Sequence, residues 1–382
     1  MQMPKSSPNH IFIAGAGLRG EGYPNAWNTI GLIRSTKLAK VTDCSFWLPS
    51  NLTLWKLSSA PVHKAIYSIS RILIYNLASC VKLLTLSPKS SITYIPYPGI
   101  ITLWLLSWLP KGIRPRCICD AYITIWDSLY QDRGLGNAKG LACRVLLKIE
   151  SRALRAAEVI ISDTEANADH MSSTFHVPRE RILSIPLALH PQPEKMPPTI
   201  HRKKVKVLFI GTFVPLQGTT VIAKAIHALR TETDIEFVII GDGQESAAAA
   251  PWLHANDSVT WIRTWQSPDT LSEHLSQADI CLGIFGGDGK ASRVLPFKIY
   301  QALAAGKAVI SQGNFSLPLG TPQPPMIHSM ADPVELAKTI RSLASSAERR
   351  LQLGHDASQY FQRFLSNSSL SLRWRQLIEN LH

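Results

Sequence analysis

The chain has 382 residues, 45% hydrophobic and 18% charged, a composition that excludes an intrinsically disordered protein and, at this length, predicts two domains rather than one core. Its net charge is +13, and residues 1–116 hold 13 Lys/Arg against two acids, Glu21 and Asp43, so the positive excess sits in the first third. Such a region attracts anionic lipid, anionic substrate or nucleic acid, and the lack of any helix-turn-helix, RRM or zinc-finger pattern argues against nucleic acid. The six cysteines, at 44, 80, 117, 119, 143 and 281, form no regular framework. Cys117-Ile-Cys119 is too close for a usual zinc pair and has no second pair, so reduced cytosolic thiols and no metal are expected. The opening MQMPKSSPNH lacks the apolar core of a signal peptide.

In chain order, His10–Gly15 reads as a strand running into Gly15-Ala16-Gly17-Leu18-Arg19-Gly20. This glycine loop matches the dinucleotide fingerprint G-x-G-x-x-G, but no acid closes the following strand at the required distance. Asp43 lies 23 residues beyond Gly20, at the start of the second strand, Val41–Leu48. Gly15, Gly17 and Arg19 are alternatively a tight loop that lets an acceptor approach the backbone. Further strands are expected at Ile92–Tyr97, Cys117–Thr124 and Val159–Ser162, and helices at Ala26–Ser35, Lys64–Leu86, Ile100–Leu109 and Leu141–Ala157. The alternation predicts a parallel sheet covered on both faces.

Ile66–Leu86 is apolar with Arg71 and Lys82 interspersed, and Ser90–Pro110 is uncharged but broken by Pro96, Pro98 and Gly99, so no membrane span is expected. Trp104 and Trp108 share a helical face, with Lys111, Arg114 and Arg116 just beyond. Aromatics beside bases fit a helix at an anionic membrane interface. Residues 186–204, with five prolines and HRKK, read as a linker.

After the linker the pattern restarts with strands at Lys206–Gly211, Glu236–Gly241 and Val259–Ile262, and helices at Val221–Leu229 and Thr270–Gln277. In Asp279–Ile310 an apolar run passes into Gly-Gly-Asp-Gly-Lys, and Pro296 then opens a helix that ends at Gly306 before strand Ala308-Val309-Ile310. A loop of this kind aims free N–H groups at an anion, and Lys290, Arg293 and Lys298 add positive side chains. The loops Gly211-Thr212-Phe213 and Gly241-Asp242-Gly243 lie at the same sheet edge, which points to a nucleotide pocket. Helices at Glu335–Ser345, Glu348–Leu365 and Ser369–Leu381 complete the chain.

The segments KVLFIGTFVPLQG, EFVIIGDGQE and QADICLGIF…PFKIYQALAAGKAVI, with AAEVIISDTEANADHM and VPRERILSIPLAL before the linker, carry a family likeness. They resemble the retaining GT-B glycosyltransferases of the large family typified by bacterial polysaccharide and lipid-sugar transferases (family 4-like). The resemblance implies an α/β fold of two Rossmann-like doubly wound domains facing across a cleft. On that pattern residues 1–190 form an acceptor-binding, membrane-facing domain, 191–204 the linker, 205–365 a nucleotide-sugar-binding domain, and 366–382 a helix packing back on the first domain. It implies transfer with retention from a nucleotide-sugar donor to a lipid-linked or glycan acceptor, without metal or cofactor, at the inner face of the cytoplasmic membrane.

Gly211, Thr212, Gly241, Asp242, Gly243, Lys290, Arg293, Pro296 and Lys298 are then expected at the donor diphosphate, and Tyr300 and Gln301 at the ribose or base. The family's frequent Lys-Gly is here Gln217-Gly218, and its Glu-x7-Glu is absent: Arg293 stands at the first position and Gln301 at the second. Pro296-x-Lys298-x-x-Gln301 resembles the P-x-K-x-x-E variant of some members. In the first domain the loop from Asp120 to Arg133 is the richest catalytic candidate, and Asp127 or Asp120 is expected to orient or deprotonate an acceptor hydroxyl. His63, His170, His176 and His190 show no ligand spacing and read as structural or surface residues. Two alternatives stay open. One is an NAD- or FAD-dependent oxidoreductase or epimerase using Gly15–Gly20, against which the missing Tyr-x-x-x-Lys pair counts. The other is a non-catalytic nucleotide-sugar-binding pseudo-transferase, motivated by the lost carboxylates.

Overall fold

The computed structural model describes residues 9–18, 24–35, 39–48, 61–88, 91–131, 140–189, 203–287, 289–313 and 315–381. The chain divides into two compact units, residues 1–190 with 370–382, and residues 191–369. Arg19, Asp132, Arg133, His190 and most of the expected linker lie outside the described residues.

The first unit runs β1 (Asn9–Ile13), β2 (Ala16–Leu18), α1 (Asn25–Ser35), β3 (Ala39–Asp43), β4 (Phe46–Leu48), α2 (Val62–Leu86), β5 (Ile92–Ile95), α3 (Ile100–Leu106), β6 (Arg116–Asp120), α4 (Leu141–Ala156), β7 (Val159–Ser162), α5 (Glu165–Phe175) and β8 (Ile182–Ser184). Its six-stranded sheet has the order β3-β1-β5-β6-β7-β8, with parallel pairings. Strands β5 and β7 are buried at every residue, as a parallel sheet with both faces covered requires. Residues alternate between the two faces. Cys117 and Cys119 of β6 join the core under α2–α5, while Ile118 joins the core formed with α1 and the C-terminal helix.

The second unit runs β9 (Val205–Ile210), α6 (Thr219–Ala228), β10 (Ile235–Ile240), α7 (Ser246–His254), β11 (Val259–Ile262), α8 (Pro268–Gln277), β12 (Ile280–Leu282), α9 (Lys290–Arg293), α10 (Phe297–Ala304), β13 (Ala308–Ser311), β14 (Ile327–His328), α11 (Pro333–Ala344) and α12 (Ala347–Tyr360). Its sheet is also parallel, in the order β11-β10-β9-β12-β13-β14. Side-chain caps set the helix starts: Ser267 accepts from Thr270 N, and Asp332 from Val334 N and Glu335 N. A π-turn over Phe361–Leu365 follows α12, and α13 (Asn367–Leu381) then returns to the first unit. There Trp374 is buried edge-on against Tyr94, and Arg116 Nη1 donates to the Leu381 carbonyl at 2.5 Å.

The first glycine loop departs from the dinucleotide expectation. The chain does not turn from β1 into a helix: Ala16–Leu18 continues as β2 and pairs in parallel with β4. A Cβ on Gly17 would lie 2.6 Å from the Trp47 ring, so this glycine makes room for an indole, and the next described helix begins at Asn25. The fingerprint's physical purpose, a helix N-terminus on a pyrophosphate, is not served, and the oxidoreductase reading loses its one motif.

Candidate functional site

In an open parallel sheet, ligands bind beyond the carboxyl ends of the strands where the strand order reverses. In the second unit β9 leads to β10 and β11 on one side, and β12 then pairs on the other side of β9. The reversal therefore lies between β9 and β12. The loops that meet there are those after β9, β10 and β12.

These loops interlock backbone to backbone. A Cβ on Gly241, whose φ is +136°, would lie 1.8 Å from the Gly211 carbonyl oxygen. A Cβ on Gly218, φ +64°, would lie 2.0 Å from the Phe285 carbonyl oxygen. Hydrogen bonds tie the same loops: Phe213 N to Asp242 O at 3.2 Å, Glu245 N to Phe213 O at 2.8 Å, and Phe285 N to Gln217 O at 3.0 Å. Gln312, just after β13, clamps Gly287 by accepting from its N–H at 2.8 Å and donating to its carbonyl at 2.6 Å.

Lys298 lies in the first turn of α10, with Pro296 as N-cap one residue outside the helix. Its ammonium donates to Gln217 Oε1, sits 3.9 Å from the Phe209 ring centroid, and would lie 2.6 Å from a Cβ on Gly211. Burial holds its pKa well below the ordinary lysine value. The cation thus occupies the reversal point beside Gln217, the position where the resembled pattern often has its lysine. Lys290 and Arg293 fall on the short α9 instead of a loop. The Asp242 carboxylate is held below the usual range, first by the Ser246 hydroxyl and then by Arg263, whose Nη2 lies 3.0 Å away. Thr212, Asp242 and Gly243 are exposed at this edge.

Tyr300 is a correction. It is 1% exposed, in the core. Each helical residue advances about 100°, so Tyr300 is turned roughly 200° from Lys298 while Gln301 returns to within about 60° of it. Gln301, part-buried, keeps the ribose-facing option and Tyr300 does not.

In the first unit, Asp120 ends β6 and is buried, accepting the Tyr94 hydroxyl at 2.9 Å. Burial pushes its pKa up to about 7. Tyr94 and Tyr122 flank it on the α13 side of the sheet, and it is about as buried as Asp127, at 4% against 2% exposed. Asp127 begins a π-turn, Asp127–Gln131, and its Oδ1 lies 3.1 Å from His170 Nε2 of α5. This pair, 43 residues apart in sequence, joins a residue expected to act with one expected to be structural. Glu150 of α4 is a further participant that the sequence did not signal. Its two oxygens accept from Ile125 N and Trp126 N, both at 2.8 Å, and so fix the loop leading to Asp127.

Glu150 yields a pH prediction. Burial, opposed by those two N–H donors and aided by the Asp127 charge, raises it from the ordinary 4.5 to about 7. Because the folded pKa exceeds the unfolded one, the native state binds more protons, and its stability falls as pH rises from about 4.5 through 7. Glu150→Gln removes that slope. The melting temperature of the variant minus wild type is expected to be more positive at pH 8 than at pH 5, and a difference independent of pH would contradict the assignment.

The predicted membrane residues separate. Trp108 is 61% exposed with Arg152 stacked 3.7 Å over its ring, and Lys111 is exposed. Trp104 instead packs partly buried against the core, and Arg114 Nη2 donates to the Ser107 and Leu109 carbonyls at 3.1 and 2.9 Å. Both are tied into the domain and partly buried. All six cysteines are free and buried, and burial pushes Cys80 to about 11 and Cys117 and Cys281 to about 12, which makes poor nucleophiles. Among the described residues no group of three or more His, Cys, Asp or Glu could hold a metal ion.

Residues 204–346, which hold the whole interlocked edge, match the family model described as glycosyl transferases group 1. No protein of curated function matches the chain in sequence. Among solved structures it is similar to Anabaena HepE in complex with UDP, at 12% identity over 97% of this chain and 100% of that one, with a TM-score of 0.63. It is similar to a glycosyltransferase from Rickettsia africae at 11% identity, 98% and 99% coverage and a TM-score of 0.60. The lipopolysaccharide outer core galactosyltransferase WaaB is similar at 13% identity, 97% and 99% coverage and a TM-score of 0.59. The chain therefore has the GT-B fold of two Rossmann-like domains, and its second unit resembles the group 1 glycosyl transferases.

Proposed function

We propose that this protein is a glycosyltransferase that moves a sugar, with retention, from a nucleotide-sugar donor to a lipid-linked or polysaccharide-precursor acceptor at the cytoplasmic face of a membrane. The observation that carries the reading is the Lys298 ammonium at the strand-order reversal, among three loops whose glycines bring backbone against backbone. As the sugar bond breaks, charge develops on the leaving diphosphate, and a pre-aimed cation in a water-poor site stabilises it best. Lys298 supplies that cation, Gly211–Thr212 and Gly241–Gly243, exposed at Thr212, Asp242 and Gly243, supply the edge, and Gln301 offers a neutral partner for a ribose hydroxyl. HepE has been solved with UDP and with UDP-glucose, which makes uridine donors the first to try.

On the first unit Asp127 orients or deprotonates the acceptor hydroxyl, with His170 fixing its carboxylate. Asp127→Asn is expected to lower kcat by about 10²–10⁴-fold with donor affinity unchanged. Equal kcat, or a loss confined to donor binding, would remove Asp127 from this role. The reading is tested by transfer from UDP-, GDP-, ADP- and dTDP-sugars to lipid-linked acceptors, and it fails if no donor is bound, hydrolysed or transferred. The Arg293 and Gln301 replacements favour a second reading, a pseudo-transferase; intact donor binding without turnover in the presence of the true acceptor would establish it.

A further inference from the structure

Among the described elements of the first unit, helix α2 is the least covered apolar one. Ile66, Ile69, Leu73, Leu77 and Leu84 are between 43% and 59% exposed, and their steps of 3, 4, 4 and 7 place them on one face. Tyr67, Ile74 and Val81, at steps of seven, widen that stripe, and each is more than half exposed. Beside it Lys64, Arg71 and Lys82, at steps of 7 and 11, form a basic row, and the 25-residue helix holds no acid. By length and composition α2 is also long and apolar enough to cross a membrane.

Its remaining face decides between crossing and lying flat. Ser79 Oγ accepts from Gly15 N at 2.7 Å and donates to the Cys44 carbonyl at 2.9 Å, while Asn76 Oδ1 accepts from Thr102 Oγ1 at 2.6 Å. Cys80 and Leu83 are buried in the core with α3. A helix whose Ile72–Leu83 stretch is held on β2, β4 and α3 by buried polar bonds lies on its domain and does not leave it to span a bilayer.

We propose that α2 is the element by which this protein lies on an anionic lipid bilayer, its apolar stripe at the acyl boundary and its basic row against the headgroups. This rests on the membrane-surface part of the function proposed above and moves the contact from Trp104 and Trp108 to α2. An apolar face flanked by bases and free of acids is the pattern of an interfacial helix. Anionic headgroups neutralise the basic row, which no acid on the helix does.

Flotation with vesicles of phosphatidylglycerol and phosphatidylcholine, against phosphatidylcholine alone, tests this on the full chain. Wild type is expected to float with the anionic vesicles and to be released by salt. Ile66→Glu with Leu73→Glu is expected to lower partitioning at least about tenfold, because both side chains would otherwise enter the acyl boundary. Lys64→Gln with Arg71→Gln is expected to lower it roughly thirtyfold, at about 1 kcal/mol per cation. Trp108→Ser is expected to leave it unchanged. All these positions are at least partly exposed, and an unchanged melting temperature shows that each variant folds. The proposal is overturned if wild type does not float, if the α2 variants float like wild type, or if Trp108→Ser alone abolishes binding. A wild-type dimer split by the α2 variants, without flotation, would also overturn it in favour of a second copy. Sugar transfer to a detergent-dispersed acceptor separates the two readings: turnover without flotation sinks only α2, and flotation without turnover sinks only the transferase.

Discussion

Lys298→Met is expected to lower sugar transfer by about 10²–10³-fold while the melting temperature stays the same or rises. The two halves of that expectation have one cause. The ammonium sits over the Phe209 ring against Gln217, and burial alone drives its pKa down, so the unliganded fold bears the cost of desolvating a cation. Methionine fills similar volume without the charge and removes that cost. The catalytic loss follows because the leaving diphosphate would lose its buried cation when charge develops. A bound diphosphate favours the charged lysine, so nucleotide affinity is expected to weaken as pH rises through the lowered pKa, and Lys298→Met is expected to show no such slope. A methionine variant that unfolds, or that turns over normally, would show that Lys298 is a packing residue.

Gly241→Ala is the other change with a large expected effect, here on folding and donor binding together. At φ +136° an L side chain is strained, and the new methyl would meet the Gly211 carbonyl oxygen at 1.8 Å. One of the two loops must move, and these loops form the proposed donor edge. A loss of about 2–4 kcal/mol of stability is expected from strain plus overpacking, with donor affinity falling in parallel. Gly287→Ala is the control: its φ is +75°, but no atom lies within 4 Å of the added Cβ. It is expected to cost about 1 kcal/mol, from φ alone. Equal losses in the two variants would mean that the loop interlock contributes nothing beyond backbone strain.

The parallel strands were the easiest elements to read. β7 and β11 fall on Val159–Ser162 and Val259–Ile262 as expected, because short apolar runs bounded by turn residues are what a doubly covered sheet demands. Helices α5 and α7 went unread. α5, EANADHMSSTF, buries only Asn167, Ala168, Met171 and Phe175, and α7 is an alanine run with Pro251 inside, so neither displays a periodic apolar stripe. The Gly15–Gly20 fingerprint was weak in sequence, lacking its acid, and glycine serves close approach of any kind: Gly17 admits Trp47. The meeting of the loops after β9, β10 and β12 was legible since all of them follow strands of one sheet. The Asp127–His170 pair was not, because sheet order and not sequence spacing brings α5 beside the loop after β6. The face of α10 could have been read from its 100° step, which separates Tyr300 from Lys298.

The central claim is that the β9–β12 reversal binds a nucleoside diphosphate through Lys298. Calorimetric titration of wild type and Lys298→Met with UDP, GDP, ADP and dTDP, without acceptor, tests it most directly. At least one nucleotide is expected to bind wild type, with affinity reduced at least about tenfold in the variant, the worth of about 1.4 kcal/mol. Binding of none of the four, or equal binding by both proteins, would contradict the account.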